Sequence, residues 1–253
     1  MLEEGRALIE STQNWRVGKV FHKIVKTSAR PKAPGEPAGW YCRVSEHGPE
    51  DATFDELWEK IGIDKANNEI QCVVLVRARR YVTDKADWNR FVEVVKKATL
   101  IKQVSPSQAI WSMYYRFSPP VSPRVFTVMQ TIHLNEENPR SGHVFVFSIT
   151  LDPNLNPRCS IIVSIPVDLS ADPSLAKLEE KGVKARYVSV EELKELPDGK
   201  VEWRMATASR AEGFIPQFLT ERAVPGSISH VSLHAFGLTF PIFRVLNLCA
   251  LHV

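Results

Sequence analysis

Few residues of this chain have the types and spacing that catalysis or metal binding requires. His230 and His234 are four positions apart and could share one helical face as metal ligands, but no third ligand lies near them in the sequence. Glu191 and Glu192 adjoin at the end of a predicted strand, which is typical of a solvated pair. The sequence also lacks a nucleophile elbow, a His-Glu-x-x-His motif, a phosphate-binding loop and a dinucleotide-binding glycine motif. We therefore predict no catalytic residue, no metal site and no cofactor.

The residues that remain as functional candidates are apolar, and they alternate along two predicted strands. Their large side chains occupy one face of each strand: Trp111, Met113, Tyr115 and Phe117 in the first, Trp203 and Met205 in the second. Such residues either fill a hydrophobic core or line a ligand cavity, and alternation alone leaves both interpretations open.

The composition is that of a globular protein that can bury a sizeable core, with 44% hydrophobic and 24% charged residues in 253 positions. The net charge of +3, from 32 basic and 29 acidic residues, is too small for dense neutralisation of phosphates. We therefore expect no nucleic-acid partner.

The cysteines indicate a reducing compartment. Cys42, Cys72, Cys159 and Cys249 stand far apart without a paired Cys-x-x-Cys motif, which favours free thiols over a zinc site or a disulfide framework. Residues 1–10 lack the basic and apolar regions of a secretory signal. We expect the protein to be cytoplasmic.

The elements that would position the apolar residues can be read from periodicity. The pattern predicts a short helix within residues 1–14, one strand over 15–26 with an ambiguous register, a proline-rich loop over 30–38 and a strand over 40–45. Thr53 and Glu56 form a capping-box signature before a helix. Residues 71–76 fit a strand or a buried helix, and 86–95 fit a helix. An antiparallel meander is then predicted, with strands at 99–104, 107–117, 125–134, 143–151, 160–167, 183–193 and 200–209.

The last strand leads directly into a predicted helix. Residues 209–213 break the alternation, and Pro216 stands where the first turn of a helix tolerates proline. We predict that Ile215, Phe218, Leu219 and Ala223 face the sheet. Pro225 and Gly226 should stop or kink the helix after about ten residues.

Two blocks of sequence resemble the START (steroidogenic acute regulatory related lipid transfer) domains. Residues 211–216, Ala-Glu-Gly-Phe-Ile-Pro, resemble the acidic-Gly-Gly-x-Ile-Pro segment before the C-terminal helix of that family, and residues 117–126 resemble its Pro-x-Ser-x-Arg-aromatic junction. Residues 40–43, 187–191 and 203–209 are similar to a fungal branch of START-like proteins known mainly as a domain of unknown function. The resemblance covers roughly residues 15–230.

The resemblance implies an α+β helix-grip fold, in which a curved antiparallel sheet wraps around a C-terminal helix. We expect one domain over residues 1–253. Its last segment, 231–253, is an atypical apolar tail without Asp or Glu, and Pro241 interrupts it. This tail has fewer consecutive apolar residues than a membrane-spanning helix needs. Three interpretations of it stay open: an altered lid, a membrane-touching segment or a gene-model artefact.

The implied function is the binding of a hydrophobic small molecule or lipid in an internal cavity, with transfer and transient membrane contact as open extensions. The alternatives are a START-like cyclase or isomerase acting on a polyketide-type substrate, and a scaffold with a filled core. A buried titratable pair on the cavity face would favour the enzyme, and an all-apolar wall the carrier. Arg124 matches the arginine of the family's junction, and it either contacts the ligand, is exposed, or pairs with a carboxylate such as Asp168. The expected cavity-lining residues are Trp111, Met113, Tyr115, Phe117, Arg124, Trp203, Met205, Ile215 and Phe218.

Overall fold

The computed structural model describes residues 1–63, 65, 68, 94–117, 121–135 and 157–230. Within these ranges, nine strands form a single sheet in the order β1-β2-β3-β9-β8-β7-β6-β5-β4. The strands are β1 (Arg16–Phe21), β2 (Val25–Arg30), β3 (Trp40–His47), β4 (Val94–Ser105), β5 (Gln108–Arg116), β6 (Arg124–Asn135), β7 (Cys159–Pro166), β8 (Val183–Glu195) and β9 (Val201–Arg210).

The predicted antiparallel meander is confirmed, because β4 to β9 lie side by side in chain order and each pairs antiparallel with the next. β9 also pairs with β3, which joins the N-terminal strands to the meander. A short parallel pairing links residues 124–126 of β6 to residues 183–185 of β8. The strand predicted at 143–151 and the element predicted at 71–76 lie outside the described residues, as does all of the tail at 231–253.

Helices α1 (Leu2–Ser11), α2 (Phe54–Leu57), α3 (Pro173–Ala176) and α4 (Gln217–His230) accompany the sheet. The predicted capping box starts α2, since the Thr53 hydroxyl accepts from the Glu56 N–H and the Glu56 carboxylate accepts from the Thr53 N–H at 2.8 Å. A π-helical turn, Trp58–Gly62, extends α2. Of the helix predicted at 86–95, residues 86–93 are not described and Val94 and Val95 belong to β4. None of the described helices is long and apolar enough to cross a bilayer.

The single strand predicted at 15–26 was wrong, because the chain reverses there and forms the β1–β2 hairpin. His22 and Lys23 have positive φ angles of 51° and 68°, and the Ile24 N–H bonds back to the Phe21 carbonyl at 3.2 Å. Two central residues with positive φ define the type I′ turn that suits a hairpin. Asn-Gly is the usual sequence for this turn, so His-Lys gave no signal.

The two faces of the sheet pack against different helices. On one face, which we call the convex face, Ile9 of α1 packs with Cys42, Val163, Val190 and Ala206. On the other, the concave face, α2 contributes Phe54, Leu57 and Ile61 to a cluster with Ile162, Leu193, Val201 and Trp203. Val224 and Ile228 of α4 pack on Met205 of the same face, beside Tyr41.

Helix α4 differs from its predicted length and orientation. It does not stop at Pro225 but continues to His230. A proline inside a helix removes one hydrogen bond, and the packing of Val224 and Ile228 on either side of it offsets this loss. These two residues face the sheet, whereas Phe218 and Leu219 are 66% and 47% exposed, so the predicted helix face was wrong for both.

Candidate ligand-binding site

Strands β5, β6 and β8 bring aromatic side chains together on the concave face. Tyr115 stands opposite Arg124, Met113 opposite Phe126, and Trp111 opposite Val128, so these side chains share one face. The Tyr115 and Phe126 rings meet edge to face with centroids 5.2 Å apart, and the Phe126 and Tyr187 centroids are 5.6 Å apart. We call Tyr115, Phe126 and Tyr187 the aromatic row.

The strand register places Trp203 and Met205 on the same face as the aromatic row. Met205 lies opposite Glu191, Glu191 opposite Ile162, and Ile162 opposite Ile132, which is four residues from Val128 on β6. Paired residues and residues two or four apart on a strand share a face. Trp111, Met113, Tyr115, Trp203 and Met205 are therefore on one side of the sheet, and their contact with a ligand stays a prediction.

Trp203 lies beneath α2 rather than beside the aromatic row. It is fully buried among residues such as Phe54, Leu57 and Ile61, and the Arg43 guanidinium lies 3.9 Å from the centre of its ring. This packing is that of a core residue. Phe117 follows the end of β5, with the Arg124 guanidinium 5.8 Å from its ring. Ile215 is half-buried in the turn before α4.

Three buried, hydrogen-bonded side chains on β3 were not predicted from the sequence. Arg43 Nη2 donates to Ser45 Oγ at 2.5 Å, and Ser45 Oγ lies 2.8 Å from His47 Nε2. A guanidinium only donates, so Ser45 Oγ accepts from Arg43, and the direction of the hydrogen bond between Ser45 Oγ and His47 Nε2 is set by the imidazole tautomer. All three side chains are at most 1% exposed. The strict alternation of Arg43, Ser45 and His47 along β3 was the one sequence feature that could have indicated that these side chains share a face.

Burial sets the charge states of Arg43 and His47. Loss of water lowers the pKa of Arg43 to about 10, partly countered by the charge of Glu191, so the guanidinium stays protonated at neutral pH. Burial, and then the charge of Arg43, lower the pKa of His47 to about 4. His47 is therefore uncharged at neutral pH.

The interpretation of Glu191 and Glu192 as a solvated pair was wrong. Glu191 is 2% exposed on the concave face and forms an ion pair with Lys65. Glu192 points to the opposite side of β8, where burial raises the pKa of its carboxyl. Successive residues of a strand face opposite sides, and the cationic partner comes from a segment 126 positions away, so adjacency in the sequence was misleading.

Arg124 connects the two sequence blocks that carry the family resemblance. It is 3% exposed; its Nε donates to the Ala211 carbonyl at 3.3 Å and its Nη2 to the Glu212 carbonyl at 3.4 Å. Its Nη1 donates to the Ser122 carbonyl. No carboxylate partner, Asp168 included, pairs with it among the described residues, and burial lowers the pKa of the guanidinium. Arg124 thus holds the turn before α4, where Glu212 and Gly213 have φ angles of 54° and 65°.

A metal centre finds no support in the described part of the chain. Across those residues, no three His, Cys, Asp or Glu side chains are grouped so that they could hold an ion. His230 ends α4, and His234 lies outside the described ranges. Cys42 and Cys159 are free thiols, whereas Cys72 and Cys249 are not described.

Comparison with known proteins relates this architecture to solved structures. Human STARD10 superposes with a TM-score of 0.58 at 11% identity, covering 98% of this chain and 82% of that chain. Human StAR-related lipid transfer protein 5 gives a TM-score of 0.56 at 13% identity, covering 93% of this chain and 97% of that chain. The lipid transfer and protein localization domain of human StarD13 (DLC2) gives 0.54 at 13% identity, with coverages of 94% and 95%.

These identities establish a shared fold, the START helix-grip fold, and no more than the fold. A comparison with curated proteins found no match. Residues 40–233, well over half of the chain, match the family described as "Protein of unknown function (DUF3074)". The chain therefore belongs to the DUF3074 family and has the START-like fold that its sequence blocks indicated.

Proposed function

We propose that the concave face of the sheet binds one hydrophobic small molecule or lipid. The observation that carries this proposal is the aromatic row, Tyr115, Phe126 and Tyr187, which runs ring to ring on the concave face next to Trp111 and Met113. Two of the similar structures are described by name as lipid transfer proteins or domains, which supports the same kind of ligand here. Aromatic and methionine side chains give an apolar wall that adapts to ligand shape.

The energy available to such a site is sufficient for useful affinity without charged contacts. Burying about ten methylene groups at ~0.8 kcal/mol each gives roughly 8 kcal/mol before ordering costs, which is the scale of a micromolar Kd. The proposed wall consists of Trp111, Met113, Tyr115, Phe117 and Met205. Arg124 and Ile215 would act at its margins, and transfer between membranes in the cytoplasm is part of the proposal.

A second candidate function is catalysis on the same face, as in a cyclase or isomerase. It is favoured by the ion pair between the partly buried Lys65 and the buried Glu191 on the concave face. However, the buried imidazole is a poor general base, since the pKa of His47 is about 4 and proton transfer is most efficient when the pKa is near the working pH. We place binding first because the aromatic row supports it, and the ion pair of Lys65 and Glu191 makes catalysis the second candidate.

Adjacent tyrosines on β5 provide the test. Tyr115 is in the aromatic row, whereas Tyr114 points to the opposite face, so Tyr115→Leu and Tyr114→Leu are matched variants of the same strand. We expect Tyr115→Leu to raise the Kd of a fluorescent sterol or acyl probe by about tenfold, and Tyr114→Leu to change it less than about twofold. Thermal unfolding of both variants controls for stability. Equal effects on the Kd, or no saturable binding of any probe, would contradict the proposal.

A further inference from the structure

Strand β1 lies at one end of the sheet order and has a free edge. In the described ranges it pairs with β2 alone, so the backbone N–H and C=O groups along its outer side face no other strand. Residues 16–20 are all exposed. Unpaired backbone groups of this kind can accept a strand from another molecule.

Two valines give this edge an apolar contact surface. The side chains of Val17 and Val20 are 82% and 59% exposed. Val17 stands opposite Ser28 and Val20 opposite Lys26, so a bulge between the valines brings both to one face. This is the convex face, since Ser28 stands opposite Cys42. The bulge also bends the edge, which limits an added strand to a short segment.

The charged residues of the β1–β2 hairpin are all basic. Residues 11–35 contain no Asp or Glu and have a net charge of +6, from Arg16, Lys19, Lys23, Lys26, Arg30 and Lys32. The whole chain has a net charge of +3, so the other residues together have a net charge of −3. Arg30 pairs with Glu36 at 2.7 Å and Lys26 lies 3.9 Å from Glu46, which still leaves a positive excess along β1. The hairpin therefore attracts an acidic partner.

Three other occupants fit this edge less well. A second copy would bring like charges together, because the edge strands of the described sheet, β1 and β4, have basic residues and no acidic residue: Arg16, Lys19, Lys96, Lys97 and Lys102. The tail at 231–253 has no Asp or Glu to match the hairpin. An anionic membrane attracts the charges, but lipid cannot continue the backbone hydrogen bonds of a sheet.

We propose that β1 binds an extended acidic segment of another protein, which joins the sheet as an additional strand. The backbone of the segment pairs with the outer side of β1, its apolar side chains cover Val17 and Val20, and its carboxylates lie near Arg16 and Lys19. The other edge strand, β4, is less suitable, since its ladder shifts register at three places and Lys97 is already paired with Glu180 at 2.6 Å. The β1 site does not depend on ligand binding to the concave face.

The test uses a fluorescein-labelled heptapeptide of alternating residues, Glu-Val-Glu-Val-Glu-Val-Glu, and measures its binding to the full-length protein by fluorescence anisotropy. Two control peptides keep the same side chains: one has the four glutamates followed by the three valines, and the other is methylated at every backbone nitrogen. We expect the alternating peptide to bind one-to-one and at least about tenfold more tightly than either control. Hydrogen exchange measured by mass spectrometry should show that the peptide protects the amides of residues 16–21.

Variants of exposed residues locate the binding on β1. Lys19→Glu should weaken binding of the alternating peptide at least about fivefold, and Val17→Thr, which keeps the shape of the side chain, about threefold. Lys102→Glu makes the same charge change on the edge strand β4 and is the matched control, which should alter the Kd by less than about twofold. Thermal unfolding confirms that the variants are folded. Tyr115→Leu, in the aromatic row, should leave peptide binding unchanged.

Each contrary result has a distinct meaning. Equal weakening by Lys19→Glu and Lys102→Glu would show attraction by net charge alone, and equal binding of the methylated peptide would show that no strand is added; either result overturns the proposal. No saturable binding of the alternating peptide would also overturn it. If phosphatidylserine vesicles bind the protein through Lys19 while the peptide does not, the hairpin is a membrane surface instead. None of these results bears on hydrophobic binding by the concave face, which the Tyr115→Leu and Tyr114→Leu comparison tests separately.

Discussion

The buried imidazole of His47 should make stability depend on pH in a defined window. Its pKa is about 4 in the folded protein against an ordinary value of 6.5. The unfolded chain therefore binds a proton more readily than the folded chain between these values, so the free energy of unfolding falls as the pH is lowered from about 6.5 to about 4. This contribution is complete above 6.5 and is lost below about 4.

The size of the effect follows from the same pKa difference. The difference between 6.5 and about 4 corresponds to an upper limit of about 3 kcal/mol, and the 1% exposure of His47 leaves little solvent screening to reduce it. His47→Gln replaces the imidazole by an amide that can still hydrogen-bond to Ser45 and does not titrate. Between about pH 7.5 and about pH 4.5, we expect the free energy of unfolding of this variant to fall by up to about 3 kcal/mol less than that of the wild type.

Urea unfolding followed by circular dichroism at several pH values measures this difference. Carboxylates titrate in both proteins, so the difference between wild type and variant isolates His47. His22→Asn, in the exposed β1–β2 turn, is the histidine control with which the pH dependence of His47→Gln is compared. Identical pH dependence in wild type and His47→Gln would show that His47 is hydrated, and that this end of the concave face is not the dry polar site described above.

Three further predictions address Trp203, Arg124 and the tail. Trp203→Ala should lower the free energy of unfolding by ~3 to 5 kcal/mol in urea titrations, because the ring is fully buried under α2; a small loss with strongly weakened probe binding would instead make it a cavity wall. Arg124→Met should cost about 2 kcal/mol, since three backbone carbonyls lose their donor, and unchanged stability would contradict its role in the turn before α4. Deleting residues 232–253 should leave the far-ultraviolet circular dichroism of the sheet intact and change lipid retention or liposome co-sedimentation; a truncated protein that matches the full chain in both would exclude a lid or an anchor.

The sequence predicted the second half of the sheet well because its strands alternate clearly and are separated by strong turn signals. Asp198 and Gly199 are one such turn, and Gly199 has a φ of +81°. The β1–β2 hairpin was missed because residues 15–26 are apolar on both faces and turn at His22 and Lys23, which carry no turn signature. An alternating pattern shows which face of a strand is buried only where the opposite face is polar.

The polar part of the concave face could not be predicted in full because it depends on contacts between distant segments. The alternation along β8 places Ser189, Glu191 and Leu193 on one face, but only the tertiary structure shows that Lys65 pairs with Glu191 there. The length of helix α4 could not be predicted for a similar reason. The local cost of Pro225 predicted a stop, and the packing of Val224 and Ile228 on the sheet overrides that local preference.

Native mass spectrometry of the full-length protein after incubation with a total lipid extract tests whether the concave face holds one hydrophobic molecule. We expect a one-to-one complex with a lipid that organic extraction removes, and weaker retention by Tyr115→Leu than by Tyr114→Leu. A spectrum showing only the unliganded protein, or the same adducts on both variants, would contradict it.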